Sequence, residues 1–335
     1  NIEPVSIDVY VCLSNDEVEN CDVSTPASAQ IDLVSMSSSF DSYSLNMSDF
    51  DLDGKASLDI MPGSYQMIVN HTISSDSNAT DFNSFYQSQN VQVNLFDDED
   101  NDMFEKEALG LELLNKQGVI SLPATLGTGR IQSKNYLVLE YLEKHPPKTD
   151  FWEDFGTAIA RLHKITSSKY GLDHDNYIGK LPQNNSFKDS WIDFFIEKRL
   201  EVQLGLAIYN NQIDQEFAKK FRMIYAQLPG LLPNEPPSLL HGDLWSGNFM
   251  SGKGGNPFIF DPAVYFGHRE MELAFSRLFG GFDRQFYQSY NVECPIEPGF
   301  DNRIDIYNLY PLLVHVNLFG ASYLSGIERT LRRYL

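Results

Sequence analysis

The chain has 335 residues, 42% of them hydrophobic and 21% charged, with a formal net charge of -21 at pH 7. That length suits about two domains with a sizeable core, and an acid excess of this size disfavours nucleic acid and anionic lipid as partners. No apolar run approaches the ~18 residues of a membrane span, and the N-terminus has neither a basic start nor an apolar leader core.

The charge is unevenly spread. Up to residue 102 there are 19 acidic residues and one basic residue, Lys55, so this first third carries -18 and the remainder -3. The acidity reads as a solvated surface. The three cysteines, Cys12, Cys21 and Cys294, make neither a disulfide framework nor a zinc spacing, although Cys12 and Cys21 would pair in an exported domain.

From the N-terminus the pattern has period two. Ile7, Val9, Val11 and Leu13 share one face of SIDVYVCL, and Val91, Val93 and Leu95 share one face of NVQVNL, as half-buried antiparallel strands do. Between them DLDGKASLDIMPGSYQMIVN brackets alternating segments with a DG and a PG turn. The acidic run Asp97 to Asp102 follows, and all three Trp and nearly all basic residues lie beyond it. This predicts an acidic β-region over 1–97, a linker over 98–102, a partial small lobe over 103–145 and a helical lobe over 146–335.

After the linker the period becomes helical. MFEKEALGLELLNK places Phe104, Ala108 and Leu111 on one stripe, and Glu107 shares that stripe whereas Glu105 and Glu112 do not. SLPATLGTG and NYLVLEYLE read as two strands, and WEDFGTAIARLHKI, DSWIDFFIEKRLEVQLGLAI and DQEFAKKFRMIYAQL as amphipathic helices.

The chemistry concentrates in HGDLWSGN, residues 241 to 248, and FIFDPA, which ends an apolar strand at Asp261. Phosphoryl transfer needs a carboxylate near the attacking hydroxyl, oxygen ligands for magnesium and cations along the phosphates. Asp243 suits the first role. Asn248, five residues on, and Asp261, thirteen beyond that, suit the second. A lone HGD is more often a turn, and a strand-ending Asp before Pro more often a cap; their order and spacing together favour a kinase-like lobe.

HGDLWSGN, FDPAVYFGHREMELAFSRLFGGF, FYQSYN, MFEKEALGL, FGTAIARLH, YGLDHDNYIGKLPQNN and HVNLFGASYL together resemble the fructosamine (ketosamine) kinase family, relatives of aminoglycoside phosphotransferases, from about residue 103 to 335. The resemblance implies an α+β, protein-kinase-like fold and ATP- and magnesium-dependent phosphorylation of the sugar 3-hydroxyl of a ketosamine, free or on a protein lysine. By the same resemblance Asp243 matches the catalytic base, Asn248 and Asp261 the metal ligands, Glu107 the helix Glu that pairs with a phosphate-binding Lys, and Glu140, Tyr141 and Leu142 the hinge that meets adenine. Trp245 and His268 match positions near the acceptor, with a core role the competing reading for both.

Two features depart from that pattern. Gln92 stands where the family has Lys, and TISSDSNATDF occupies the place of a Gly-rich turn. Residues 1–97 resemble a transthyretin-like or carboxypeptidase-regulatory-like β-sandwich, so a sandwich fused to a kinase with an incomplete or atypical small lobe is expected, with a degenerate small lobe carrying extra strands as the alternative. Turnover would then be impaired, and a non-catalytic pseudokinase or ligand-binding module is the competing function. A cytoplasmic location follows from ATP use; export is the alternative raised by the β-region and the sequons at Asn46, Asn70, Asn78 and Asn184.

Overall fold

The computed structural model describes the strands of the first hundred residues by their backbone, and residues 102–131 and 134–335. Cys12 and Cys21 lie outside the described residues. The chain divides into two compact units, residues 1–108 with 123–142, and residues 109–122 with 143–335.

The first unit is built on strands. β1 (Val5–Tyr10) pairs antiparallel with β4 (Lys55–Ile60) as a separate ribbon. The remaining strands, β2 (Ser28–Ser35), β3 (Tyr43–Asn46), β5 (Gly63–Ile73), β6 (Asn83–Asp97), β7 (Thr125–Ile131) and β8 (Lys134–Glu140), form one antiparallel sheet in the order β3-β2-β5-β6-β8-β7. Of the predicted period-two segments, Ile7 and Val9 lie in β1, the stretches after the DG and PG turns in β4 and β5, and Val91, Val93 and Leu95 in β6, while Val11 and Leu13 lie outside the described residues. A self-contained sandwich over 1–97 would place no ladder across the boundary, yet β6 pairs with β8 from Val91↔Glu140 to Asp97↔Lys134. The backbone hydrogen bonds of β6 are satisfied by strands from both sides of the acidic run, as a central strand requires.

Helix α1 (Met103–Asn115) begins in the first unit and ends in the second. Its Phe104 and Leu111 are buried, Glu107 is half-buried and Glu105 and Glu112 are exposed, as the stripe predicts. In its second half Gly110 approaches Val264 and Pro262 so closely that an added Cβ would sit 3.2 Å from the Val264 methyl.

In the second unit α2 (Phe151–His163) buries Phe151, Phe155, Ile159 and Leu162 along one stripe. It lies against α8 (Arg284–Glu293), and at their crossing a Cβ on Gly156 would come within 2.1 Å of the Phe286 carbonyl oxygen. Only glycine fits there without moving a helix. The hairpin of β9 (Asn176–Ile178) and β10 (Leu181–Gln183) precedes a helix expected to be continuous. That helix is α3 (Trp191–Phe194), then a π-helical segment (Phe195–Leu200), then α4 (Glu201–Tyr209). The wider turn carries Arg199 fully inward, its guanidinium 4.5 Å and 4.0 Å from the Phe194 and Tyr265 ring centroids.

Helix α5 (Gln215–Arg222) lies against α4, where Arg222 meets Glu201, and α6 (Leu228–Leu231) leads on to β11 (Ser238–Leu240). The hairpin of β12 (Phe249–Ser251) and β13 (Pro257–Ile259) follows, then β14 (Tyr265–Gly267), α7 (Arg269–Ser276), α8, α9 (Phe300–Tyr307), α10 (Leu309–Phe319) and α11 (Leu324–Tyr334). Helix α10 buries Leu309 through Val314 without a break, which marks it as the interior helix. No helix of the described residues is long and apolar enough to cross a membrane.

Candidate functional site

Two nested hairpins assemble the site. β11 pairs with β14, Leu240 opposite Tyr265, so residues 241 to 264 make a closed excursion between paired strands. Inside it β12 pairs with β13, Phe249 opposite Ile259. Asn248 and Phe260 therefore flank the first pair of the inner hairpin, and the Phe260 N–H donates to the Asn248 carbonyl at 3.2 Å. The thirteen-residue gap between Asn248 and Asp261 is thus a strand, a turn and a strand, which brings the two side by side. Phe249 seats this hairpin on α2 by packing 5.0 Å from Phe155 and from Phe282.

The loop ahead of Asn248 is braced from beneath. The Ala263 N–H donates to the His241 carbonyl at 2.9 Å. Nε2 of the buried His241 reaches the Phe260 carbonyl at 3.0 Å, while its Nδ1 accepts from the Asp243 N–H at 3.3 Å. That pattern selects the neutral Nε2–H tautomer, and burial holds the imidazole pKa below its ordinary value. Gly242 has φ +86, and a Cβ there would lie 2.0 Å from the Ala263 carbonyl oxygen. Conformation and space both demand glycine between the His and the Asp.

Glu272 of α7 is the anchor. One carboxylate oxygen accepts from the Gly242 N–H at 2.7 Å; the other accepts from the His241 N–H at 3.3 Å and His163 Nε2 at 2.8 Å. Burial pushes its pKa up, but the His163 hydrogen bond, attraction to His163 and His241 and the Gly242 amide outweigh that and hold it below the usual value. Neither Glu272 nor His163 was singled out in the sequence. They lie 109 positions apart, and no local period relates them.

Asp243 is half-buried, and the Asn248 Nδ2 donates to both its carbonyl oxygen and Oδ2 at 2.9 Å. Its pKa is pushed up to about 7, first by burial and then by the charges of Asp261 and Glu272, against the Asn248 hydrogen bond that pulls it down. With its amide nitrogen engaged, Asn248 keeps the carbonyl oxygen for another partner. Asp261 is exposed and has φ +55, a left-handed conformation that Asp tolerates better than most residues. An amide oxygen and a carboxylate make a hard-oxygen pair that suits magnesium, which keeps several waters and binds few protein groups.

Trp245 is half-exposed, its ring lying across Gly247 and edge-on to Phe279 at 6.0 Å. His268 is fully buried between Trp191 and Tyr307, 5.4 Å and 5.7 Å away by ring centroids. It has no face to offer an acceptor, so its place is in the core. A cavity of about 20 Å³, room for one water, lies against Asp243 and is walled by Tyr265, Met271, Phe275, Tyr310 and His315. His315, inside the phrase HVNLFGASYL, turns Nδ1 to the Pro311 carbonyl at 2.7 Å.

In the first unit, Glu140 ends β8 and is tied to Ala124 twice, N–H to carbonyl at 2.8 Å and Ala124 N–H to Oε2 at 3.1 Å. Tyr141 and Leu142 continue beyond the last ladder position, half-buried. Gln92 lies opposite Ser64 of β5 and Leu139 of β8.

The profile of the family described as fructosamine kinase matches residues 64–335, beginning in β5. The chain is 38% identical over 233 residues to a probable ketoamine kinase of Lactiplantibacillus plantarum, covering 69% of this chain and 81% of that protein. Among solved structures it is similar to a putative fructosamine-3-kinase from Haemophilus somnus, with a TM-score of 0.68, 33% identity and coverage of 81% and 92% of the two chains. An aminoglycoside phosphotransferase, solved in ternary complex with AMP-PNP and hygromycin B, shares the fold at a TM-score of 0.50 and 14% identity, over 80% of this chain and 90% of that one.

Proposed function

This chain belongs to the fructosamine kinase family and is a kinase, and on that premise we propose that it transfers the terminal phosphoryl group of ATP, with magnesium, to a hydroxyl of a ketosamine. The observation that carries the reading is the nested hairpin that gathers Asp243, Asn248 and Asp261.

Asp243 orients the acceptor hydroxyl and takes its proton as the new oxygen to phosphorus bond forms and the bond to ADP breaks. A carboxylate with a pKa near 7 is matched to that exchange at neutral pH. Asn248 Oδ1 and the Asp261 carboxylate are the groups that would hold magnesium, which supplies charge neutralisation on the phosphates when bound. His241, Gly242 and Glu272 keep the loop from relaxing, so that the proton acceptor is already placed when substrate arrives. The acceptors are glycated small molecules or glycated lysines of proteins, and ATP as co-substrate argues for a cytoplasmic chain.

The continuous ladder from β2 to β8 and the match from residue 64 favour a small lobe with additional strands over a fused sandwich. One observation favours a second reading, a nucleotide- or ketosamine-binding protein without turnover: Gln92 occupies the central strand position expected to carry Lys. The deciding experiment incubates the protein with magnesium-ATP and a fructosyl-lysine acceptor and looks for the phosphorylated ketosamine by mass. Its appearance, and its loss when EDTA is added, fits the kinase reading; binding of both ligands with no product fits the second.

A further inference from the structure

Outside the hairpins the second unit contains a buried polar network whose members all carry neutral side chains except one. Arg199 is fully buried and donates to the Asn184 carbonyl at 2.7 Å and to Asn185 Oδ1 at 2.8 Å. A guanidinium can only donate, so the Asn185 oxygen must face it and the Asn185 Nδ2 must face away. That nitrogen donates to Asn176 Oδ1 at 2.8 Å, which turns the Asn176 Nδ2 to the Val264 carbonyl at 2.8 Å. Gln183 Nε2 donates to the same Asn176 oxygen at 2.9 Å and to the Ala263 carbonyl at 3.1 Å. Its Oε1 is left to accept from the Tyr310 hydroxyl at 2.7 Å. One fixed cation thus sets the orientation of three amides in succession.

The two ends of Gln183 meet different parts of the site. Ala263 lies two residues after Asp261, and its N–H already braces His241. Tyr310 walls the cavity against Asp243. Gln183 is 2% exposed, in β10, and touches neither Asp243 nor the cavity itself.

We propose that Gln183 is a positioning residue that couples the segment carrying Asp261 to the acceptor-side wall at Tyr310, with Arg199 fixing its polarity. The inference rests on the kinase reading given above for the meaning of the two sides. The donor end of Gln183 holds the metal-side segment in register with the catalytic loop. The acceptor end fixes where the Tyr310 ring stands.

Three substitutions separate the ends. Tyr310→Phe cuts only the link to the wall. Gln183→Glu keeps an oxygen for the Tyr310 hydroxyl but presents a second oxygen to the Ala263 carbonyl. Gln183→Met cuts both. Steady-state kinetics with magnesium-ATP and fructosyl-lysine should show the acceptor KM of Tyr310→Phe raised about tenfold with kcat within about twofold. Gln183→Glu should lower kcat about tenfold with the acceptor KM nearly kept, and Gln183→Met should do both. The double variant Gln183→Met with Tyr310→Phe should match Gln183→Met alone. If Gln183→Glu does not fold, the remaining pair still distinguishes one end from both. Changes in kcat and KM that move together, in proportion to the loss of melting temperature, overturn the proposal. A wild-type protein without turnover refutes the kinase reading instead. The coupling is then decided by melting temperatures, where non-additive shifts for Gln183→Met and Tyr310→Phe sustain it and additive shifts refute it.

Discussion

The inner hairpin β12–β13 and the central strand β6 are both held by antiparallel ladders, yet they differ in what they carry. The hairpin sets an amide and a carboxylate side by side, and the loop ahead of it has its His241, Gly242 and Asp243 amides tied to Glu272 or His241. Strand β6 is held on both edges by β5 and β8, and its position 92 is a glutamine. A ladder is specified by backbone groups and alternating pattern, so it persists through a change in one side chain. The chemistry depends on that side chain and does not.

Breaking the hairpin's chemistry should have the largest effect. Asp243→Asn keeps the shape and hydrogen-bond reach but cannot accept the hydroxyl proton, and turnover should fall about a thousandfold or more in the fructosyl-lysine assay. A rate within tenfold of wild type would remove Asp243 from the role of base. Next comes the anchor below the loop. Glu272→Leu leaves His163 Nε2 and the Gly242 amide without their acceptor in a buried place, and denaturant unfolding should show a loss of about 3 kcal/mol. An unchanged midpoint would mean that the loop does not depend on this carboxylate.

The comparison is sharpened from the other side by placing a cation at position 92. Gln92→Lys should lower the KM for ATP about tenfold if residue 92 faces the phosphates; no change in nucleotide affinity or rate would mean that the strand presents another position. The last effect is in pH. Burial, with the charges of Arg269 and Arg303, pushes the His268 pKa from its ordinary 6.5 to about 3. The unfolded chain therefore takes up a proton below pH 6.5 that the folded chain refuses. Stability from this group is complete above pH 6.5 and is lost toward pH 3, by at most about 1.4 kcal/mol per pH unit. His268→Asn, which can still meet the Tyr307 hydroxyl, should flatten the fall of melting temperature between pH 6.5 and 5; an unaltered slope would assign the acid sensitivity elsewhere.

The nearness of Asp243, Asn248 and Asp261 was legible because their separation along the chain is short and a hairpin folds that separation back on itself. The stripe of α1 was legible because its period is local, with Glu107 half-buried and Glu105 and Glu112 exposed. Glu272 with His163, and Gln183 with Tyr310, were not legible. Each pair joins elements more than a hundred residues apart, and their polar residues interrupt no pattern. The ladder between β6 and β8 belongs to the alternative reading rather than the expected one for a related reason: the acidic run between them signals a break in composition, while strand pairing is set by backbone groups that composition does not reveal. For His268 the place in a family phrase pointed toward the acceptor and the core role stood beside it; packing encloses it between two rings.

The π-helical segment from Phe195 to Leu200 has a consequence for how this protein can evolve. It holds one more residue in its turn than an ordinary helix would. Deleting one residue there would restore α-helical geometry and keep the flanking turns nearly in phase, because the wider turn already absorbs the extra residue. What would be lost is the wider turn that sets Arg199 between Phe194 and Tyr265, and with it the placement of the donor that orients the amide chain leading to Gln183. The positioning of the site is therefore sensitive to a change of length at a place far from its chemistry.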